Sequence, residues 1–336
     1  MQPNSPAADR TPQWQRELAD AVRDPEELLR LLDLDPGLLP AARRAAQLFP
    51  LRVPRGFVAR MRRGDLDDPL LRQVLPLALE EEDVPGFADD PVGDLGAVAA
   101  DGVLHKYHGR VLLIATGACA IHCRYCFRRH FPYAEANAAA GGWRAALEYV
   151  RGHGDVREVI LSGGDPLAAG DRRLAELAAA LTEIPHVTRL RIHSRLPVVL
   201  PSRIDDDMLA WFTGGRLRPV MVLHANHAQE LDESVEYALR RLQERRVLLL
   251  NQAVLLRGIN DDADTLAALS ERLGELGVQP YYLHLLDRVR GAAHFEVSED
   301  RARALMQQLS ARLPGYLVPK LAREEAGRPG KTVLSA

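Results

Sequence analysis

Apolar positions recur with a helical period in the first ninety residues of the chain and with a mixed strand and helix period after that. From Thr11 to about Asp90, Leu28, Leu29, Leu31 and Leu32 make one apolar face. Just ahead of them, Asp24-Pro25-Glu26-Glu27 offers a capping carboxylate and a proline at the first helical position. Pro40, Pro50 and Pro54 cut this region into short helices. The stretch 83–101 is acidic and rich in glycine and proline, and it reads as a linker. From Arg110 on, β-branched or leucine-rich runs at 110–116, 157–164, 187–194, 219–226, 245–256 and 278–286 alternate with amphipathic stretches of helical length. The helices are expected near 142–152, 171–184, 205–213, 232–244, 264–276 and 298–312. Six strand-helix units in series imply a parallel sheet with right-handed crossovers, either doubly wound or curled into a barrel.

Polar residues decide between the two. The cysteines follow the first run, Ser162 to Asp165 end the second, His193 to Arg195 the third, His224 to His227 the fourth, and Asp287 follows the sixth. In a barrel those strand ends converge on one face, where such folds place their active sites. The expected fold class is therefore α/β, a partial (β/α)6 barrel over 101–297. A helical N-terminal region and linker occupy 1–100, and a C-terminal helix with a short final segment occupies 298–336.

Composition narrows the setting. With 336 residues, 47% of them hydrophobic and 26% charged, the chain has enough apolar surface for a large core. The N-terminus has no apolar signal region and no run approaches eighteen apolar residues, so a cytoplasmic protein without a membrane span is expected. A net charge of -3 gives no case for nucleic acid. The three cysteines, Cys119, Cys123 and Cys126, lie within eight positions in the spacing C-x3-C-x2-C, which fits a metal centre better than disulfides. Three thiolates leave one iron of a 4Fe-4S cube open to an outside ligand. A zinc site completed by His122 or His130 is the alternative. In Ser162-Gly163-Gly164-Asp165 the glycines would let the backbone approach a ligand closely. Of 43 basic residues only Lys106, Lys320 and Lys331 are lysines, so chemistry needing an amine has three candidates.

These segments resemble the radical S-adenosylmethionine (SAM) superfamily, with CAIHCRYC similar to its cluster loop and SGGD similar to its methionine-binding motif. From His105 to Leu334 the chain further resembles the lysine 2,3-aminomutase family, through HKYHGRVLLIATGACAIHCRYCFRRHF, RIHSRLPVVLPSRI, LHANH, NQAVLLRGIND, LLDRVRGAAHF and GYLVPKLAREEAGRPGKT. The resemblance implies a radical SAM barrel, a C-terminal segment that presents a lysine to pyridoxal phosphate (PLP), and three cofactors: a 4Fe-4S cluster on the three cysteines, SAM, and PLP. It assigns Lys331 to the PLP Schiff base, with Lys320 as the alternative, and Lys106 and Arg110 to the PLP phosphate. Ser162, Gly163, Gly164, Asp165, His224 and Gln252 would surround SAM. Arg128 would take the substrate carboxylate, and Asp287 and Glu324 the distal ammonium, whereas Arg129 reads as a surface residue. The implied reaction is conversion of L-α-lysine to (R)-β-lysine by an isomerase.

The N-terminal segments WQRELADAVRDPEELLRLLDLD and LRVPRGFVARM are similar to the branch whose product a separate lysyl ligase attaches to elongation factor P. Little chain follows Lys331, so any homo-oligomer is expected to be less extensive than in longer aminomutases. A 2,3-aminomutase for glutamate or arginine, a radical SAM enzyme without PLP, and a non-enzymatic metal-binding protein are the competing readings.

Overall fold

The computed structural model describes residues 11–133 and 142–335. Five short helices come first: α1 Gln13–Ala19, α2 Pro25–Leu31, α3 Leu39–Leu48, α4 Arg55–Val58 and α5 Pro69–Arg72. The prolines act as expected, and Asp24 accepts a hydrogen bond from Glu26 N with Pro25 opening α2. Strands β1 Val98–Ala100, β2 Val103–Tyr107 and β3 Arg110–Thr116 form an antiparallel meander. After it come α6 Arg144–Gly152, β4 Glu158–Gly163, α7 Asp171–Thr182, β5 Arg189–Ser194, α8 Leu196–Val199, α9 Asp206–Thr213 and β6 Arg218–Leu223. The chain continues through α10 Glu233–Glu244, β7 Leu248–Val254, α11 Ala263–Glu275, β8 Gln279–His284, α12 Glu299–Arg312, β9 Lys320–Arg323 and β10 Thr332–Val333.

All ten strands among the described residues form one sheet in chain order, parallel from β3 to β9. The six expected strands are β3 to β8. The period-2 alternation separates two environments. On β7, Leu248, Leu250, Gln252 and Val254 line a central cavity, while Leu249 and Ala253 join the core under the helices. On β4, Glu158, Ile160 and Ser162 face the cavity, and Val159 and Leu161 the core. Because strands from β2 to β8 line the same space, the sheet is curled into an open barrel with its largest apolar layer outside. The helices over that layer are fixed by side-chain caps, such as Asp232 on Val235 N at 3.0 Å and Asp262 on Thr265 N at 2.9 Å, each contributing about 1 kcal/mol.

Four strands lie outside the expected set. β1 and β2 precede the barrel, and β9 continues its parallel part beside β8, carrying the β10 hairpin. The stretch 83–101 is not a linker. Asp94 within it is 2% exposed, Lys106 donates to the Val92 carbonyl, and a Cβ on Gly93 would sit 2.9 Å from Ala326 Cβ. This stretch therefore packs between β2 and the chain beyond β9. The N-terminal helices share the barrel's core, and Trp14 lies under the buried Arg203 guanidinium at 4.4 Å.

Candidate active site

A cavity of about 640 Å³ occupies the barrel. The three cysteines, Arg128, Asp287, Glu324 and Lys331 all line it, as do Lys106, Arg110, Ser162, Gly163, Gly164, Asp165, His224 and Gln252. Lys320, the alternative amine, is exposed on β9 and does not line the cavity.

The cysteine loop leaves β3 and is bound on two sides. Toward β4, Gly164 N donates to Thr116 O and Asp165 N to Ala118 O, both at 2.8 Å. Toward the N-terminal region, His122 N donates to Arg52 O and Arg124 N to Gln73 O, both at 2.9 Å. This geometry gives the glycines a packing reason. Gly163 sits at φ +113°, and a Cβ on Gly164 would be 2.5 Å from Ala118 O and 2.7 Å from Gly117 C. A Cβ on Gly163 would meet Ile114 Cγ2 and Thr116 O of β3 at 2.9 Å, so β3 requires glycine at 163 and the cysteine loop's backbone requires it at 164, while both glycines line the cavity. Asp165 is likewise spent on the protein, accepting from Ser194 Oγ at 2.7 Å and from the main-chain nitrogens of Leu167, Arg195 and Leu196. Four donors fill a carboxylate. Burial nevertheless pushes its acid up to about 6.

Burial raises the Cys119 and Cys126 thiols, the latter to about 11, so a bound cation is needed to hold them as thiolates at neutral pH. Among the described residues no three His, Cys, Asp or Glu side chains are arranged to hold a single ion. Zinc needs four donors about 2.0–2.3 Å from one point. His122 bonds Pro50 O through Nδ1 at 2.8 Å and stacks on Phe49. A cubane with irons at separate corners does not require the three sulfurs to converge.

On the facing wall, acids and bases form a chain. Asp94 accepts from Arg128 Nε at 2.7 Å and pairs with Lys106 at 2.6 Å, and Arg128 also donates to Ser162 Oγ at 3.1 Å. Lys106 reaches Glu324 at 3.0 Å, and Glu324 reaches Lys331 at 2.9 Å. Burial opposes ionisation of Glu324, but Lys331 and Lys106 overcome it and hold the acid at about 2. Asp287 differs, because its carboxylate has no hydrogen bond among the described residues. Burial lifts it to about 7; Lys331 opposes the rise and Glu324 adds to it. The Lys106 ammonium spends its three donors on Val92 O, Asp94 and Glu324, so a phosphate would have to displace one of them. Arg110, at the start of β3, lies over the Tyr107 ring at 4.7 Å, at the strand end opposite the cysteines.

Deeper polar groups lack partners. The Nε2 atoms of His193, His224 and His284 are buried without a hydrogen bond among the described residues. Burial keeps all three imidazoles neutral, lowering His224 to about 4. Sequence reasoning gave His224 a role, noted His193 only as part of the strand-end pattern, and missed His284, which ends β8. It also passed over Asp94, hidden in the apparent linker, and gave no role to Arg195, which donates to Cys123 Sγ. Arg129 is not a surface residue: its side chain is 1% exposed and pairs with Glu80 at 2.8 Å.

No model of a known protein family matches the chain. It is 54% identical over 322 residues to the L-lysine 2,3-aminomutase of Escherichia coli, covering 96% of this chain and 94% of that one. It is 46% identical over 331 residues to the L-lysine 2,3-aminomutase of Haemophilus influenzae, covering 98% of both chains. The Clostridium subterminale L-lysine 2,3-aminomutase is 32% identical over 321 residues, with 95% of this chain and 77% of that one covered. Among solved structures, a radical SAM methyltransferase from Sphaerobacter thermophilus aligns with 66% of this chain and 68% of its own at a TM-score of 0.48 and 17% identity. With more than half of its residues identical along nearly the whole of both chains, the protein belongs to the L-lysine 2,3-aminomutase family.

Proposed function

We propose that this protein moves the amino group of L-α-lysine from C2 to C3, giving (R)-β-lysine, with a 4Fe-4S cluster, SAM and PLP as cofactors. The observation that carries the reading is the joint presence, in one cavity, of three cysteines, the Lys331 amine, the Arg128 guanidinium and the Asp287 and Glu324 carboxylates. The residues suit the groups they would hold. Cys119, Cys123 and Cys126 would bind the cluster through three irons, leaving the fourth for SAM. Lys331 would carry PLP, and Arg110, which has no ion pair among the described residues, would take its phosphate. The unpartnered nitrogens of His193, His224 and His284 and the amide of Gln252 would meet the polar atoms of SAM and PLP. When bound, these groups supply a carbon-centred radical and a conjugated ring system over which an unpaired electron spreads.

The chain's own residues then act on the substrate. Arg128, braced by Asp94, takes the α-carboxylate with the part of its fork that Asp94 and Ser162 leave free. Asp287 and Glu324 take the distal ammonium, whose charge could not stay unpaired inside the barrel. Glu324 is bonded through Oε1 to Lys106 and through Oε2 to Lys331, and Oε2 would turn to the substrate when Lys331 gives up its charge. The barrel walls exclude water, which protects a radical from side reactions. Anaerobic incubation of reconstituted protein with reductant, SAM, PLP and L-lysine, followed by chiral product analysis, tests the reading. Absence of β-lysine, or a faster reaction with glutamate, refutes it.

The product is proposed to serve elongation factor P, joined to it by a separate lysyl ligase in the cytoplasm. The N-terminal helical segments, similar to that branch, support this. Intact-mass analysis of elongation factor P from cells lacking this protein checks it, with loss of the β-lysyl form expected.

A further inference from the structure

Each cysteine sulfur has a different neighbour. Cys119 and Cys126 receive main-chain N–H groups, from Asp165 and Arg128. Cys123 alone receives a charged donor, Nη1 of Arg195. That guanidinium lies at the turn from β5 into α8 with its side chain 5% exposed. It is held from behind: Nη2 donates to Gln73 Oε1 at 2.6 Å and Glu230 Oε2 at 2.9 Å, and the main-chain nitrogen donates to Asp165 Oδ2 at 2.7 Å. Glu230 is itself tied to Gln73 Nε2 at 3.1 Å and Asn226 N at 2.8 Å. The charge therefore cannot swing away from the sulfur.

We propose that Arg195 is a positioning residue that tunes the iron-sulfur centre, making the cluster easier to reduce through its buried hydrogen bond to Cys123. The inference rests on the cluster assignment above. A cluster held by three thiolates becomes more negative when it takes one electron from an outside one-electron reductant, such as dithionite or a reduced flavoprotein. A fixed positive charge and an N–H···S bond in a site of low polarity favour that more negative state. Arg195 thereby supplies part of the driving force for the electron transfer that precedes SAM cleavage.

The test uses the full chain reconstituted with iron and sulfide. Iron content is measured first. The midpoint potential is then followed by electron paramagnetic resonance in a mediated redox titration without SAM or lysine. Arg195→Met is expected to shift the reduction equilibrium at least tenfold toward the oxidised cluster, about 59 mV for one electron. Arg195→Lys, which keeps the charge, recovers most of that shift. Because Arg195→Met strands the buried Glu230, Arg195→Met/Glu230→Gln serves as a second variant that relieves the unpaired charge, with a shift of the same sign and at least threefold. Variants with wild-type iron content and an unchanged or higher midpoint overturn the proposal. Loss of the cluster from all three variants also overturns it, leaving Arg195 as a brace of the loop. Failure of the wild-type protein to take up a 4Fe-4S cluster instead refutes the functional reading on which it rests.

Discussion

Replacing Glu80 by alanine tests whether the N-terminal helices hold the cysteine loop. Glu80 and Arg124 are both fully buried, and Glu80 accepts from Arg124 Nε at 2.8 Å, from Arg129 Nη2 at 2.8 Å and from Leu77 N at 3.1 Å. Arg124 and Arg129 flank Cys126 within the loop. Removing one member of a buried ion pair costs about 3–5 kcal/mol, because the other charge stays behind without its partner. Here two guanidiniums stay behind. Arg124 keeps the Phe49 carbonyl at 2.7 Å and the Phe49 ring at 5.0 Å, which softens the loss toward the lower end, about 3 kcal/mol. That is a large share of the roughly 5–15 kcal/mol available to a folded protein. With a urea dependence on the order of 3 kcal/mol/M, the unfolding midpoint of the metal-free protein falls by about 1 M. Iron uptake falls with it, since the loop loses its support. Glu81→Ala is the control. Glu81 pairs with Arg44 at the surface at 3.2 Å, and exposed pairs contribute about 0–1 kcal/mol. A midpoint for Glu80→Ala that matches the Glu81→Ala control refutes the reasoning.

Other outcomes follow from the same geometry. Gly164→Ala forces the Ala118 carbonyl away from a Cβ at 2.5 Å, so iron bound per chain drops while the far-ultraviolet circular dichroism of the helices persists. Lys331→Ala abolishes the visible band of protein-bound PLP and Lys320→Ala leaves it, as measured by absorbance titration with PLP. Asp287, raised to about 7, is neutral in acid, so lysine affinity strengthens as pH rises through 7; Asp287→Asn flattens that dependence in a KM profile. The sign for folding is opposite: a carboxyl raised above its ordinary 3.8 contributes stability below that value, and the contribution is lost as pH climbs to about 7, a slope that Asp287→Asn removes in urea titrations of the metal-free protein.

Lys331 is picked out by the family resemblance, whereas the sequence by itself determined the six central strands, the helices between them and the cysteine triad. Each of these is written locally, in a period, a cap or a spacing: the run 245–256 contains β7, and Asp24-Pro25 does open α2. Tertiary structure decided what each polar residue is for. β9 and β10 are KLAR and TV, too short and too polar to signal strands, and exist because the edge of β8 offers β9 a partner and β9 offers one to β10. Asp94 looked like linker acid until the fold set it between Arg128 and Lys106, 12 to 34 positions away in sequence. Arg129 resembled a surface charge because its acid, Glu80, lies 49 residues earlier. Glycines 163 and 164 carry requirements set by β3 and by the backbone of the cysteine loop. The cause is common to all of them. Periodicity records which face of an element is apolar, whereas the balance of charge in a buried site depends on groups that only the closed barrel brings within hydrogen-bonding distance.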